Sequence, residues 1–247
     1  MLHTRIAILL LLIQLVIPAR AQRNAYTAFS AVALSGSYGA YFPGGNLADR
    51  FGFNSTAGAS ALVKTSSNYV FGLNWYYLFG GQVKEDGILD SIATRDGFVI
   101  DEEGKLADIH LYERGFMLNL SGGKIFPRLA GANKNSGVML MGSLGFMQHK
   151  IKIIDGGNRS PQLRDDYIKG YDRLTNGFSV TEFAGYWFMS KNHYVNFYAG
   201  FEFTQAFTKS RRSWDYDLMR ADTKQRLDLL HGIRFGWMIP LYRSDNY

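Results

Sequence analysis

The sequence predicts an all-β fold: an eight-stranded antiparallel up-and-down transmembrane β-barrel, preceded by a cleaved signal peptide. Three observations predict it. Eight runs alternate with period two, the mark of strands with one apolar face. The connections between the runs alternate in length, so one end of the sheet carries long polar loops and the other carries shorter turns. Outer-membrane barrels have this asymmetry. The composition is 15% aromatic, with 27 glycines, five prolines and no cysteine, which suits many strands with glycines set inside them.

The amino terminus reads as export machinery and not as fold. "MLHTRIAILLLLIQLVIPARAQ" has Arg5, an apolar run over 6–17, and Ala19-Arg20-Ala21 before Gln22. That order is a secretory signal peptide, cut near Ala21 and exported by the Sec route. The run is short of the ~20 residues of a spanning helix. The domains are therefore 1–21, the signal, and 22–247, the barrel. Without Arg5 and Arg20 the formal charge falls from +6 to +4. So mild an excess gives no reason to expect nucleic acid. With no cysteine, disulfides, thiol chemistry and a lipoprotein anchor are excluded.

The first run, 28–42, puts Val32, Leu34, Tyr38 and Phe42 on one face and Ser35, Ser37 and Gly39 on the other. The loop "PGGNLADRFGFN" leads to the second, 56–65, closed by the turn Ser66-Ser67-Asn68. The third, "YVFGLNWYYLF", has Tyr69, Phe71, Leu73, Trp75, Tyr77 and Phe79 on its odd face; Gly72, Asn74 and Tyr76 oppose them. Gly72 is expected to leave room for side chains from across the barrel. After a long polar stretch, the fourth run, 114–126, sets Phe116, Leu118 and Leu120 against Asn119 and Ser121. The fifth, 137–153, shows Val138, Leu140, Leu144 and Phe146. The sixth is 178–189. The seventh, 194–207, carries Val195, Phe197, Ala199, Phe201 and Phe203, and the eighth, 227–242, carries Ile233, Phe235, Trp237, Ile239 and Leu241 against Gly232, Arg234 and Gly236.

In hydrocarbon every backbone N–H and C=O must be paired within the protein, so such a sheet closes and keeps no edge. Eight strands leave an interior just wide enough for side chains to fill, which predicts a plugged lumen. Tyr69, Phe79, Tyr194 and Tyr242, near strand ends, suit interfacial girdles. The competing architecture is a lipocalin-like soluble barrel with the apolar faces inward. Loop lengths and the small polar character of the second face argue against it.

If the aromatic faces look outward, Glu182, Glu202 and Arg234 look inward at mid-strand on three neighbouring strands. Buried charge is costly unless paired, so an interior Glu182–Arg234–Glu202 cluster is expected, as a structural plug and not a proton relay or gate. A lipid A deacylase or acyltransferase would need a nucleophile beside a histidine and an acid. His3 leaves with the signal, and His110, His149, His193 and His231 form no such constellation. Catalytic residues, metal ligands and cofactors are therefore not expected. In "SRRSWDYD", Arg211 and Arg212 beside Trp214 and Tyr216 suit lipopolysaccharide phosphates or a partner at the outer surface. The bland alternative has this loop packing on "YIKGYDRLTNG".

"SYGAYFPGGNLADRFGFN", "YIKGYDRLTNGF", "FYAGFEFTQAFTKSRRSWDYD" and "RLDLLHGIRFGWMIPLY" together resemble small outer-membrane barrel proteins of Bacteroidota, of the OmpX/OmpA-like porin family. At the level of architecture the chain is also similar to the small barrel component of the type IX secretion apparatus. The resemblance implies an outer-membrane protein and little about its activity. The size and aromatic content of the loops 81–113 and 155–177 suggest a structural, assembly or secretion role, with outer-membrane lipid, lipopolysaccharide and other cell-envelope proteins as expected partners; the alternatives are a lipid A-modifying enzyme and a narrow pore. It transfers no catalytic residue.

Overall fold

The computed structural model describes residues 27–190 and 194–244; the signal peptide, His3 and His193 lie outside them. Eight antiparallel strands run in chain order around a closed barrel. They are β1 (Ser30–Gly44), β2 (Asn54–Lys64), β3 (Tyr69–Gly80), β4 (Ile109–Phe126), β5 (Gly137–Asp155), β6 (Thr175–Met189), β7 (Asn196–Ser210) and β8 (Gln225–Ser244). A one-and-a-half-turn helix, α1 (Gly45–Arg50), stands where a plain loop is expected after β1. β4 starts five residues earlier than the alternation suggests, because Ile109 pairs with Asp155 in a hairpin that extends beyond the apolar stretch.

The stagger of the ring follows from the pairing. From Leu34 the partners run Ala61, Leu73, Leu120, Leu144, Val180, Gln205 and Leu229, and back to Gly44 on β1, ten residues further on. Eight strands with that stagger tilt by ~40° from the barrel axis. At ~3.3 Å per residue, the outward row Tyr69 to Phe79 then covers ~25 Å of height, the apolar band of an outer-membrane barrel.

The faces fall as the alternation predicts on the six strands for which the sequence assigns one or both of them, β1, β3, β4, β5, β7 and β8. Tyr69, Phe71, Leu73, Trp75 and Tyr77 are exposed, as are Leu120 (69%) and Phe201 (74%). The inner faces carry buried Ser60, Asn74, Asn119, Ser121, Thr181, Thr204, Glu202 and Arg234. A soluble barrel has the opposite arrangement, so the lipocalin-like alternative is excluded. Among the described residues no helix is long and apolar enough to cross a membrane. Of the proposed girdle residues, Tyr69 and Tyr194 are exposed, and the side chain of Tyr242 is outside the described residues.

The interior is filled in two apolar layers. One, at the long-loop end, joins Tyr41, Leu78, Met117, Met147 and Ile151 to loop residues Leu47, Phe51, Ile88, Leu163 and Tyr171. The other, at the short-turn end, joins Val70, Ile125, Met139, Trp187, Tyr198 and Met238. Lys64 closes that end. Its ammonium donates to the carbonyl oxygens of Phe29 (2.9 Å) and Thr65 (3.3 Å) and to Asn135 Oδ1 (2.9 Å). Gly72 makes room for nearer neighbours than expected. A Cβ there would lie 2.7 Å from Leu62 and Ser121, on the two adjacent strands and not across the barrel.

Candidate functional site

Between the two apolar layers lies a charged centre. Arg234 on β8 and Glu202 on β7 both point inward, offset by two residues in register, since Glu202 pairs with Gly232. The guanidinium grips the carboxylate with two parallel bonds, Nε to Oε2 and Nη2 to Oε1, each 2.7 Å. That planar fork is the strong form of the ion pair. Tyr41 Oη donates to Glu202 Oε1 at 2.7 Å, Arg234 Nη1 donates to Ser37 Oγ at 3.2 Å, and the guanidinium carbon sits 3.6 Å from the Tyr76 ring centroid. Gly39 permits this. A Cβ at that position would meet the Tyr41 hydroxyl at 2.3 Å, so only glycine lets the ring lie down along the strand to reach Glu202.

Glu182 is not in the cluster. Its side chain is exposed on the outer face of β6, and Phe183 takes the inner position. β6 carries aromatics on both parities: Phe178, Tyr186 and Phe188 outward, Phe183 and Trp187 inward. The inward pair fills space over bare backbone. The Phe183 ring lies where a Cβ on Gly185 or Gly200 would be 2.7–2.8 Å away, and Phe183 and Trp187 both pack on Tyr198. Placing β6 by its aromatics therefore inverts its register. The partners of Arg234 are Glu202, Tyr41, Ser37 and the face of Tyr76.

Above the pair, a second polar layer is one that sequence reasoning missed. His149 Nε2 meets Asp228 Oδ2 at 2.9 Å, Thr208 Oγ1 donates to the same oxygen at 2.5 Å, and Asn54 Nδ2 donates to Glu113 Oε2 at 3.0 Å. The parity signal was available: Asp228 shares the face of Arg234, and Glu113 that of Asn119. The order of groups does not activate a nucleophile. The carboxylate lies between hydroxyl and ring, so the imidazole is not placed to take the threonine proton. Phe51 covers the ring edge-on at 5.7 Å.

The long-loop end is capped by an arginine–carboxylate network. Arg173, buried, reaches Asp215 (2.9 Å), Glu85 (3.6 Å) and Asp217. Arg50, at the end of α1, reaches Glu85 (2.9 Å) and Asp222 (3.5 Å) and donates to Thr175 Oγ1 at 3.1 Å. Burial, then the charge of nearby Arg226, lowers the pKa of Arg50, with Glu85 opposing. Burial raises that of Asp215, against the pull of Arg173. At Asp222 burial acts upward, but the hydrogen bonds from Arg226 and the Lys224 amide, with the charges of Arg226 and Arg50, together outweigh it and the pKa is lowered. Beside the network is a recess of about 430 Å³ that exposed Arg220 and Lys224 help to line.

The four loop residues singled out from the sequence separate here. Arg212 forks onto Asp172, at 2.7 and 2.5 Å, and that bond raises its pKa against the lowering by burial. Tyr216 stacks edge-on against Tyr171 at 5.5 Å, and its amide donates to the Gly170 carbonyl. Both residues thus hold the loop to "YIKGYDRLTNG". Arg211 and Trp214 remain exposed, with Arg211 Nε donating to Asn176 Oδ1. Of the histidines, His110 is exposed beside Asp108 at 3.1 Å, and His231 is exposed on the outer face of β8. Among the described residues no group of His, Asp or Glu could hold a metal ion.

No family model matches the sequence, and no curated protein sequence is similar to it. The fold is similar to solved outer-membrane barrels. The attachment invasion locus protein Ail of Yersinia pestis, solved with the heparin analogue sucrose octasulfate, is 10% identical over 85% of this chain and 99% of its own, with a TM-score of 0.41. Neisserial surface protein A is 11% identical over 83% and 97%, at 0.38. The outer membrane protein OprG of Pseudomonas aeruginosa is 13% identical over 87% and 98%, at 0.35.

Proposed function

We propose that this chain is an integral outer-membrane barrel that catalyses no reaction and conducts no solute, and that serves the cell envelope through its ordered cap, as a structural or assembly component of a larger outer-membrane system. The observation that carries this reading is the inversion of faces: a closed ring with a ~25 Å apolar belt outside and paired charges inside. Each strand is paired with a neighbour on both sides, and each meets hydrocarbon with its apolar side. The long connections lie on the outer surface of the cell and the short turns in the periplasm.

The lumen supports a closed state. Glu202 spends both oxygens on Arg234 and Tyr41, and apolar layers lie above and below it. Purified, refolded protein in a planar bilayer is expected to give no current steps, and the chain is expected in the outer-membrane fraction with a heat-modifiable gel shift. Regular steps, or a soluble periplasmic chain, would overturn the reading. A deletion strain is expected to keep its lipid A mass profile and to lose an assembly or secretion function; a changed profile would favour a lipid A-modifying enzyme.

Lipopolysaccharide is the partner expected at the rim. Arg211 and Trp214 are exposed there, Arg211 with a single side-chain bond to Asn176, whereas Arg212 and Tyr216 are packed into the loop. Arg211→Ala is therefore expected to reduce lipopolysaccharide co-purification about threefold and to leave the cap folded. Unchanged co-purification in Arg211→Ala and in the Arg211→Ala/Arg212→Ala double variant would dismiss phosphate binding at this loop.

A further inference from the structure

One carboxylate lies on the wrong face. The outward residues of β6 run Asn176, Phe178, Val180, Glu182, Ala184, Tyr186, Phe188, so Glu182 is the central one, at mid-height of the apolar belt. Among the described residues it has no hydrogen-bonding or ionic partner. An ionisable group at that depth is expensive, and such groups pair with one another or mark a functional surface. Around it the barrel wall is hollowed. A recess of about 860 Å³ is floored by Gly142 and Ala184 and rimmed by Leu140, Phe201 and Ile233. A Cβ on Gly142 would touch nothing, so packing within this chain does not require the glycine.

A second polar side chain reaches the same recess. Glu182 pairs with Phe203 on β7, and Phe203 pairs with His231 on β8. The three share the outer face, with the carboxylate one strand to one side of Phe203 and the imidazole one strand to the other. We propose that the occupant of this recess is a second copy of the same chain, in a two-fold dimer whose axis runs parallel to the barrel axis in front of Phe203. The proposal rests on the membrane reading above, since two copies in one membrane share an orientation and their axis must follow the membrane normal.

That axis makes the surface complementary to itself. It exchanges the two sides of Phe203, so each Glu182 faces the partner's His231. With strands ~4.8 Å apart and tilted ~40°, two strand steps lift His231 above Glu182 by ~6 Å. Across walls ~10 Å apart the two side chains, each about 4–5 Å long, can join. The unpaired carboxylate, the hollow and the displaced histidine then have one explanation, and the polar pair forms twice.

The chain has no cysteine, so single cysteines report contacts without background. Phe203→Cys is expected to give a disulfide-linked dimer in oxidised outer membranes. Leu73→Cys, on β3 at the far side of the ring, is expected to give at least tenfold less. Adding Glu182→Arg to Phe203→Cys is expected to cut the dimer about fivefold, and the exchange Glu182→His with His231→Glu to restore it. Glu182→Leu, which adds no charge to the belt, is expected to fold at least as well and also to lose the dimer. Equal cross-linking of Phe203→Cys and Leu73→Cys, a Phe203→Cys adduct with a different protein, or indifference to both Glu182 changes would overturn the dimer. A heat-modifiable monomer in the outer-membrane fraction overturns the dimer alone; a wild-type chain absent from that fraction overturns the membrane reading as well.

Discussion

Replacing Arg234 with methionine is expected to lower the unfolding free energy by about 3–5 kcal/mol. The cost is less the lost attraction than what remains behind. Glu202 would keep only the Tyr41 hydroxyl, in a lumen sealed on both sides by apolar layers. A carboxylate so enclosed carries its desolvation cost uncompensated. The double variant Glu202→Leu/Arg234→Met separates this cause from simple loss of packing. It removes both charges, keeps much of the volume, and is expected to recover most of the stability, because a buried pair is often no better than apolar groups of the same shape. Tyr41→Phe is expected to cost about 2 kcal/mol, one neutral-to-charged hydrogen bond. Urea unfolding in lipid vesicles, followed by tryptophan emission and the heat-modified gel shift, measures all three. An unchanged midpoint for Arg234→Met would show that the pair does not hold the barrel.

The second large effect is local. Arg173→Ala is expected to loosen the cap by about 3 kcal/mol and to leave the barrel intact. Arg173 ties Asp215 and Asp217 of the β7–β8 connection to Glu85 of the β3–β4 connection, so its loss leaves three carboxylates facing one another. Opening of the 211–224 segment would then be roughly a hundredfold more frequent, since 1.4 kcal/mol is about tenfold in an equilibrium. Limited proteolysis should cut that segment and the 81–108 connection faster by a similar factor, with the gel shift of the barrel unchanged. Arg220→Ala, at an exposed position of the same loop, is the control and should change the rate little. Equal rates in the two variants would remove Arg173 from its structural role.

What was legible in the sequence was what period two can carry. The odd face of "YVFGLNWYYLF" is outside and its Asn74 and Tyr76 are inside, as alternation requires. Arg234 and Glu202 could be paired because each lies on a strand whose aromatic face is unambiguous. Glu182, expected inward, lies outward, because β6 is aromatic on both faces; its inward rings fill the space left by glycines on neighbouring positions, which a single strand does not reveal. The cap was illegible for another reason. Arg50, Arg173 and Asp222 come from three connections, and only the closed ring brings them together. Tyr41 was missed because its role depends on Gly39 beneath it, a packing relation with no period.

The ten-residue stagger turns the barrel into a screw. One circuit along paired residues climbs from Leu34 to Gly44, which is nearly the full height of the apolar belt. The β1–β8 seam therefore has no freedom of its own, since its offset is fixed by the seven pairings elsewhere. A slip of one residue at any of them would reach the seam as a slip of one and set every outward residue there against an inward one. The irregularity the seam does contain, a shift between Val32 and Ala33, lies near the short-turn end, where only the last three pairs of the seam are displaced.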